Sequence, residues 1–176
     1  LTYDHALQLI ERPVVDFPLK YESDALIRIN QLTGQHPYLI QLLCDRIISI
    51  KNNQPVSQRK LACLADVESA IADSLEHGTF FFSDIENNQI DQSTRKFLYY
   101  LARKGSDFSC SSAEGTQLLG ELASSALADL VSREVLTQDG FTYYFQSDLI
   151  RIWFSTRAQS AYEHQQNSPS ANCSGR

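Results

Sequence analysis

Apolar positions recur at helical spacing through the first half of the chain. Residues 2–11 place Ala6, Leu7 and Ile10 on one face behind a capping Thr2, which predicts a short amphipathic helix. Pro13 and Pro18 break helical structure, so residues 13–19 are expected to run extended. A second helix is expected behind a Ser23 cap. Leu26, Ile27 and residues 29–32 supply its apolar face, and Thr33-Gly34 its stop. Pro37 suits the first turn of a third helix, where its missing N–H costs nothing. Leu39, Ile40, Leu42, Leu43, Ile47, Ile48 and Ile50 lie nearly all round that helix, which places it in the middle of a bundle. Residues 52–61 are polar, contain Pro55 and read as a loop. A fourth helix is predicted from Leu64 into Phe80-Phe81-Phe82, with Val67, Ile71 and Leu75 every four residues. Three consecutive aromatics cannot share one side of a helix; they could dock a partner, and packing between the two halves of the chain explains them at least as well. Asn87-Asn88 marks a boundary.

The second half has a different rhythm. Asp91 can cap a helix through Lys104, with Phe97, Leu98, Leu101 and Ala102 inward and Gly105 as its end. Ser111-x-x-Glu114 is a capping-box pattern opening a short helix toward Leu119, and residues 123–133 form another with Ala126, Leu127, Leu130 and Val131 apolar. Val135-Leu136-Thr137-Gln138, then Asp139-Gly140, then Phe141-Thr142-Tyr143-Tyr144-Phe145 predict a hairpin closed by a type I′ turn at Asp139-Gly140. A closing helix is expected over 147–158. Helix, helix, helix, hairpin is the order of a winged helix. The fold expected is therefore mainly α: a helical bundle over 1–88, a winged helix with a hairpin wing over 89–157, and a tail over 158–176. The tail's Gln, Ser, Asn and Gly content predicts disorder.

Composition narrows the function classes. The chain has 176 residues, 43% hydrophobic and 20% charged, enough for one medium domain or two small ones with a real core. Net charge is -6 and the isoelectric point about 5.1, without the basic footprint of a nucleic-acid-coating protein. No apolar run approaches the roughly 18 residues that span a bilayer. The chain holds no methionine and starts at Leu1, which reads as a piece of a longer protein cut on its N-terminal side. Cys44, Cys63, Cys110 and Cys173 form no CxxC pair, and no histidine stands at metal-ligand spacing from them. Neither a disulfide framework nor a metal site is expected, and reduced, packed thiols point to the cytoplasm. Asn172-Cys173-Ser174 matches a glycosylation acceptor by chance.

Catalytic motifs are missing. Gly115 and Gly120 have P-loop spacing, but Glu121 and Leu122 follow where Lys and Ser/Thr are needed. His5, His36, His77 and His164 are scattered, so no active site is expected. Residues 106–157 carry seven acids and three bases, too few cations for the phosphate contacts that dominate DNA affinity. Protein contacts are the better use for such a winged helix. The stretch 34–38 has two readings. As local chemistry it is a tight helix–helix turn. As a site, it offers unpaired N–H groups at a helix start, a flat Pro37 face and a His36 donor or acceptor for an anionic or planar ligand.

The run Leu32-Thr33-Gly34-Gln35-His36-Pro37-Tyr38-Leu39-Ile40-Gln41-Leu42-Leu43-Cys44 resembles the lid subdomain of STAND-class P-loop ATPases of the AAA+ kind, especially archaeal-ATPase-like and prokaryotic members. Ala6-Leu7-Gln8-Leu9-Ile10-Glu11-Arg12-Pro13-Val14 is similar to the helix and proline entering that lid, and Asp66-Val67-Glu68-Ser69-Ala70 to its last helix. Leu127-x-x-Leu130-Val131 to Leu136, Asp139-Gly140, Phe141 to Phe145 and Ile150-Arg151-Ile152-Trp153-Phe154 resemble the winged helix that follows. The resemblance implies a lid closing over ATP or ADP held mainly by an upstream P-loop core, with no metal held by this part and no turnover by it. Gly34, His36, Pro37 and Tyr38 would contact the nucleotide. Two residues separate Gly34 from Pro37 where many relatives have one, so either His36 or Pro37 touches the base. No arginine opens the Pro37 helix, and Arg46 is a distant substitute for the sensor arginine of such ATPases. The implied partners are the chain's own upstream core and a second copy or an effector protein, rather than DNA or a membrane. The main alternative is a winged-helix DNA-binding or protein-interaction adaptor.

Overall fold

The computed structural model describes residues 1–105 and 109–166. The chain is mainly helical. Helix α1 (Tyr3–Glu11) begins at Thr2, whose side chain accepts from the His5 N–H, and buries Ala6 and Ile10. Residues 13–19 do not run extended throughout. They bend, with Asp16 at φ 58°, before strand β1 (Lys20–Tyr21). Helix α2 (Ser23–Thr33) is capped at Glu22 rather than Ser23, with no side-chain cap bond. It buries Ala25, Ile29, Leu32 and Thr33, while Ile27, expected on the apolar face, is 55% exposed.

Helix α3 (Pro37–Asn52) starts on its proline and packs against α1, α2 and helix α4 (Leu64–His77). The expected loop at 52–61 holds a 3₁₀ turn, Val56–Gln58, and leads into β2 (Leu61–Ala62). Strands β1 and β2 pair in parallel, tying both ends of the α2–α3 unit together. The fourth helix does not continue into the phenylalanines. It stops at Gly78, where a β-carbon would lie 2.7 Å from both Leu42 Cδ2 and Phe82 Cε2. Helix α5 (Thr79–Asp84) follows, then a π-helical turn, Ile85–Gln89, which carries helical structure past Asn87-Asn88. The three aromatics divide as their spacing demands. Phe82 is buried, Phe81 is partly covered and Phe80 is 91% exposed.

Helix α6 (Gln92–Arg103) takes its Asp91 cap as expected, with the carboxylate accepting from the Thr94 N–H, and buries Phe97, Leu98, Leu101 and Ala102. Strand β3 (Cys110–Ser111) leads into α7 (Ser112–Leu119), where the Ser111 hydroxyl accepts from the Glu114 N–H. A reciprocal capping box forms instead at Cys63 and Asp66. Helix α8 (Ala123–Ser132) precedes β4 (Leu136–Asp139) and β5 (Thr142–Phe145), an antiparallel hairpin. Asp139 pairs with Thr142, so the turn residues are Gly140 and Phe141, and only Gly140 has positive φ. The expected type I′ turn, which needs two such residues, does not form. Strand β3 joins the far edge, giving the order β3-β5-β4.

Helix α9 (Asp148–Gln166) continues past Ala158, so residues 159–166, expected in the disordered tail, are helical. Residues 167–176, with Asn172 and Cys173, lie outside the described residues. No helix among the described residues is long and apolar enough to cross a membrane. Helix α9 joins the halves by packing on α2, α4 and α6. Trp153 stacks on Phe82 at 5.3 Å, lies under the Arg157 guanidinium at 4.4 Å, and donates Nε1–H to buried Glu86 at 3.0 Å. Tyr99 donates its hydroxyl to the same carboxylate. Burial and that carboxylate push the Tyr99 hydroxyl up to about 12.

Candidate functional site: the α2–α3 corner and its groove

The corner is built by two successive left-handed residues, Gly34 at φ 54° and Gln35 at φ 61°. A helix end leaves carbonyls without intrahelical partners. At this corner Thr33 O accepts from the nearby His36 N–H at 3.0 Å, while two other carbonyls are satisfied from far along the chain. Ser147 Oγ donates to Leu32 O at 2.9 Å, and Gln146 Nε2 donates to Gly34 O at 3.0 Å. The approach is so close that a β-carbon on Gly34 would lie 2.0 Å from Gln146 O. Gly34 therefore faces the β5–α9 connection.

The other three predicted contacts lie on the opposite flank. His36 is the N-cap of α3 but makes no side-chain cap bond. Its ring meets Phe81 edge-on at 5.3 Å, and Nε2 stands 4.0 Å from the Glu134 carboxylate. Nδ1 is buried without a partner among the described residues. Burial lowers the His36 pKa, and nearby Glu134 opposes the shift. Pro37 is exposed, and Tyr38 is 39% exposed with its ring 4.9 Å from Phe81. Phe81 thus gathers His36 and Tyr38, and Pro37 opens to solvent beside them, while Gly34 is turned away. Arg46 is occupied. Asp45, Asp73 at 3.5 Å and His77 at 2.9 Å all hold its guanidinium.

On the Gly34 flank a groove of about 540 Å³ opens between α2, the hairpin and α9. Asp148, in the first turn of α9, accepts from Arg28 Nη1 at 2.9 Å and from Arg151 Nε. Arg28 Nε also donates to Glu68 at 2.6 Å. Burial works against the Arg28 charge, but Glu68 and Asp148 outweigh it and raise its pKa. No family model matches the chain, and no curated protein or solved structure does.

Neither arginine stands out by motif reasoning, yet the sequence carries a signal for both. Leu26-Ile27-Arg28-Ile29 and Leu149-Ile150-Arg151-Ile152 are the same tetrapeptide. An arginine set between isoleucines on an otherwise apolar stretch must find an anion or solvent within reach of a buried face. Here both find Asp148.

Proposed function

We propose that the chain is the lid and winged-helix portion of a nucleotide-dependent switch ATPase of the STAND AAA+ kind, its P-loop core lying upstream. The observation that carries this reading is the exposure of Pro37 and Tyr38 at the opening of α3, beside a corner fixed in left-handed geometry. They give a flat, partly apolar surface of the sort a planar base needs. The fit is residue by residue. Pro37 and Tyr38 suit the base, His36 stands at the rim, and Gly34 serves the turn because Gln146 covers it.

Helices α6, α7 and α8 ahead of a hairpin, with sheet order β3-β5-β4, support a winged helix as the second half. Ser147 and Gln146 clamp the end of α2, so the lid and the winged helix move as one body on a hinge upstream. The nucleotide, ATP or ADP, supplies the phosphate chemistry in the core. This portion binds the base side and relays the motion to a second copy or an effector. Phe141 at the wing tip is 83% exposed and suits a protein contact. Duplex DNA is disfavoured. The outward residues of α8 are Ser124, Ser125, Ala128, Asp129 and Ser132, and the charge of Arg133 is taken by Asp129 at 2.8 Å.

The test is nucleotide affinity in the intact polypeptide. Pro37→Ala and Tyr38→Ala are expected to weaken ADP binding about tenfold. Unchanged affinity, or an upstream sequence without a phosphate-binding loop, overturns the reading.

A further inference from the structure

We infer that the face where α4, α5 and α9 meet pairs with a second copy of this chain, Phe80 of each copy seating in a cavity of the other. The inference does not rest on the nucleotide reading, which uses Pro37 and Tyr38. The phenylalanines of α5 divide their work. Phe82 stacks on Trp153, and Phe81 meets His36 and Tyr38. Phe80 has no ring partner among the described residues and, at 91%, is the most exposed large apolar side chain there. A single exposed hydrophobe is ordinary. This one has a cavity beside it. Its chain neighbour Thr79 lines a space of about 200 Å³, shared with Leu75 of α4 and Trp153 of α9. That volume suits one aromatic side chain and falls below the roughly 300–1,000 Å³ of small-molecule sites. The lining hydroxyls are spent on their own backbone. Thr79 Oγ1 donates to Glu76 O at 2.6 Å, Thr156 Oγ1 to Ile152 O at 2.9 Å and Ser160 Oγ to Thr156 O at 3.2 Å. The cavity therefore favours apolar surface over a polar ligand.

Two features make a second copy the occupant. Projection and cavity are neighbours on one surface, so a two-fold axis between copies brings each Phe80 to the opposite cavity, and one patch supplies both halves of the contact. The charges have the same property. Glu76 and Arg157 both line the cavity, one from α4 and one from α9. Glu76 takes part in no ion pair among the described residues. Arg157 lies over the Trp153 ring at 4.4 Å, with Nε 3.9 Å from Glu86, whose carboxylate already accepts from Tyr99 and Trp153. The guanidinium is half exposed and keeps further N–H donors. A two-fold rotation sets Glu76 of each copy against Arg157 of the other. Each seated ring buries about 150–250 Å², so the two supply roughly 300–500 Å² of apolar contact. That is the centre of a small interface, below the roughly 1,200 Å² of stable complexes, and it predicts a reversible dimer with a dissociation constant on the order of 100 μM.

The test is sedimentation equilibrium of the 176-residue chain from about 10 μM to about 1 mM, with Trp153 emission read on the same samples. Mass is expected to rise to that of a dimer and no further. Emission is expected to shift over the same concentrations, because the only tryptophan in the chain lines the cavity. Phe80→Ala, a change at an exposed position, is expected to weaken the dimer at least tenfold and to abolish the emission shift. Thr156→Gln, which lengthens an exposed lining residue, is expected to do the same, and Glu76→Arg to weaken it about threefold or more. Phe80→Ala keeps the cavity and Thr156→Gln keeps the projecting ring, so an equal mixture of the two is expected to form more dimer than either alone. A chain that stays monomeric to about 1 mM, as it would if a different protein occupied this face, overturns the inference. So does full affinity in Phe80→Ala, association beyond a dimer, or a mixture that gains nothing. Pro37→Ala leaves the dimer unchanged, so failure here and failure of the nucleotide reading are separable.

Discussion

Replacing Gly34 with alanine tests the joint between the halves more sharply than any other single change. Two costs arise. A β-carbon at φ 54° costs about 1–2 kcal/mol from backbone strain alone. The same carbon would sit 2.0 Å from Gln146 O and 2.8 Å from its carbonyl carbon, neither of which is a flexible side-chain end. The β5–α9 connection must therefore withdraw, and the bonds to Leu32 O and Gly34 O weaken or break at about 1 kcal/mol each. Together these predict a loss of about 3–5 kcal/mol, a large share of the roughly 5–15 kcal/mol that holds a domain of this size. Gly140→Ala supplies the control. It has the same sign of φ, at 56°, and nothing within 4 Å of the added carbon, so only the strain applies. Urea unfolding followed by Trp153 fluorescence reads both, because this tryptophan is the only one in the chain and sits where α9 meets Phe82. With a slope of about 2 kcal/mol per molar urea, Gly34→Ala is expected to lower the midpoint by about 2 M and Gly140→Ala by about 0.5–1 M. Equal losses in the two variants would refute the close approach of Gln146.

Four further outcomes follow from buried polar groups. Burial works to raise the Asp66 pKa, but the Cys63 N–H, Lys51, Gln54 and the Cys63 thiol outweigh it and hold the carboxyl down at about 2. Its contribution is present above about pH 4 and is lost as pH falls toward 2, amounting to about 2 kcal/mol, readable from urea midpoints across that window. Asp66→Asn also strands the Lys51 ammonium, which is 2.9 Å from Asp66 and 6% exposed, and is expected to cost about 3–5 kcal/mol. Glu86→Ala removes the acceptor shared by Tyr99 and Trp153, and is expected to lower stability by about 2–3 kcal/mol while shifting Trp153 emission; an unmoved spectrum counts against the contact. Burial pushes the Cys44 thiol up to about 12 and Cys110 to about 11, so both should resist iodoacetamide until urea unfolds the chain, a result peptide mass mapping reads directly.

The helices that hydrophobic spacing marks are those with a strong start or stop of their own. Thr2, Pro37 and Asp91 begin helices where local chemistry places them, and Gly34 ends one in the left-handed conformation. Spacing fails where the deciding contact is distant. The two-residue strands at Lys20 and Leu61 have no pattern to read, since each exists only because the other lies beside it. Gly78 interrupts a good helical period because Leu42 and Phe82 need the space, a demand set by the third dimension. Phe81 and Phe82 part company because one faces His36 and the other Trp153. At the corner, the turn itself is legible at Gly34 and Pro37, but its covering by Gln146 is not, because 112 residues separate the two. Arg28 and Arg151 share a tetrapeptide that motif reasoning does not single out, and their meeting at Asp148 depends on how α2 and α9 cross.

A helix finished by residues 112 and 115 positions further on has a consequence for biosynthesis. While the chain is being translated, α2 and α3 can collapse on one another, but the carbonyls of Leu32 and Gly34 hold only water until Gln146 and Ser147 leave the ribosome. The early segment therefore waits with this corner unlatched, and a nascent chain arrested before the hairpin carries an open end that a protease or chaperone meets first.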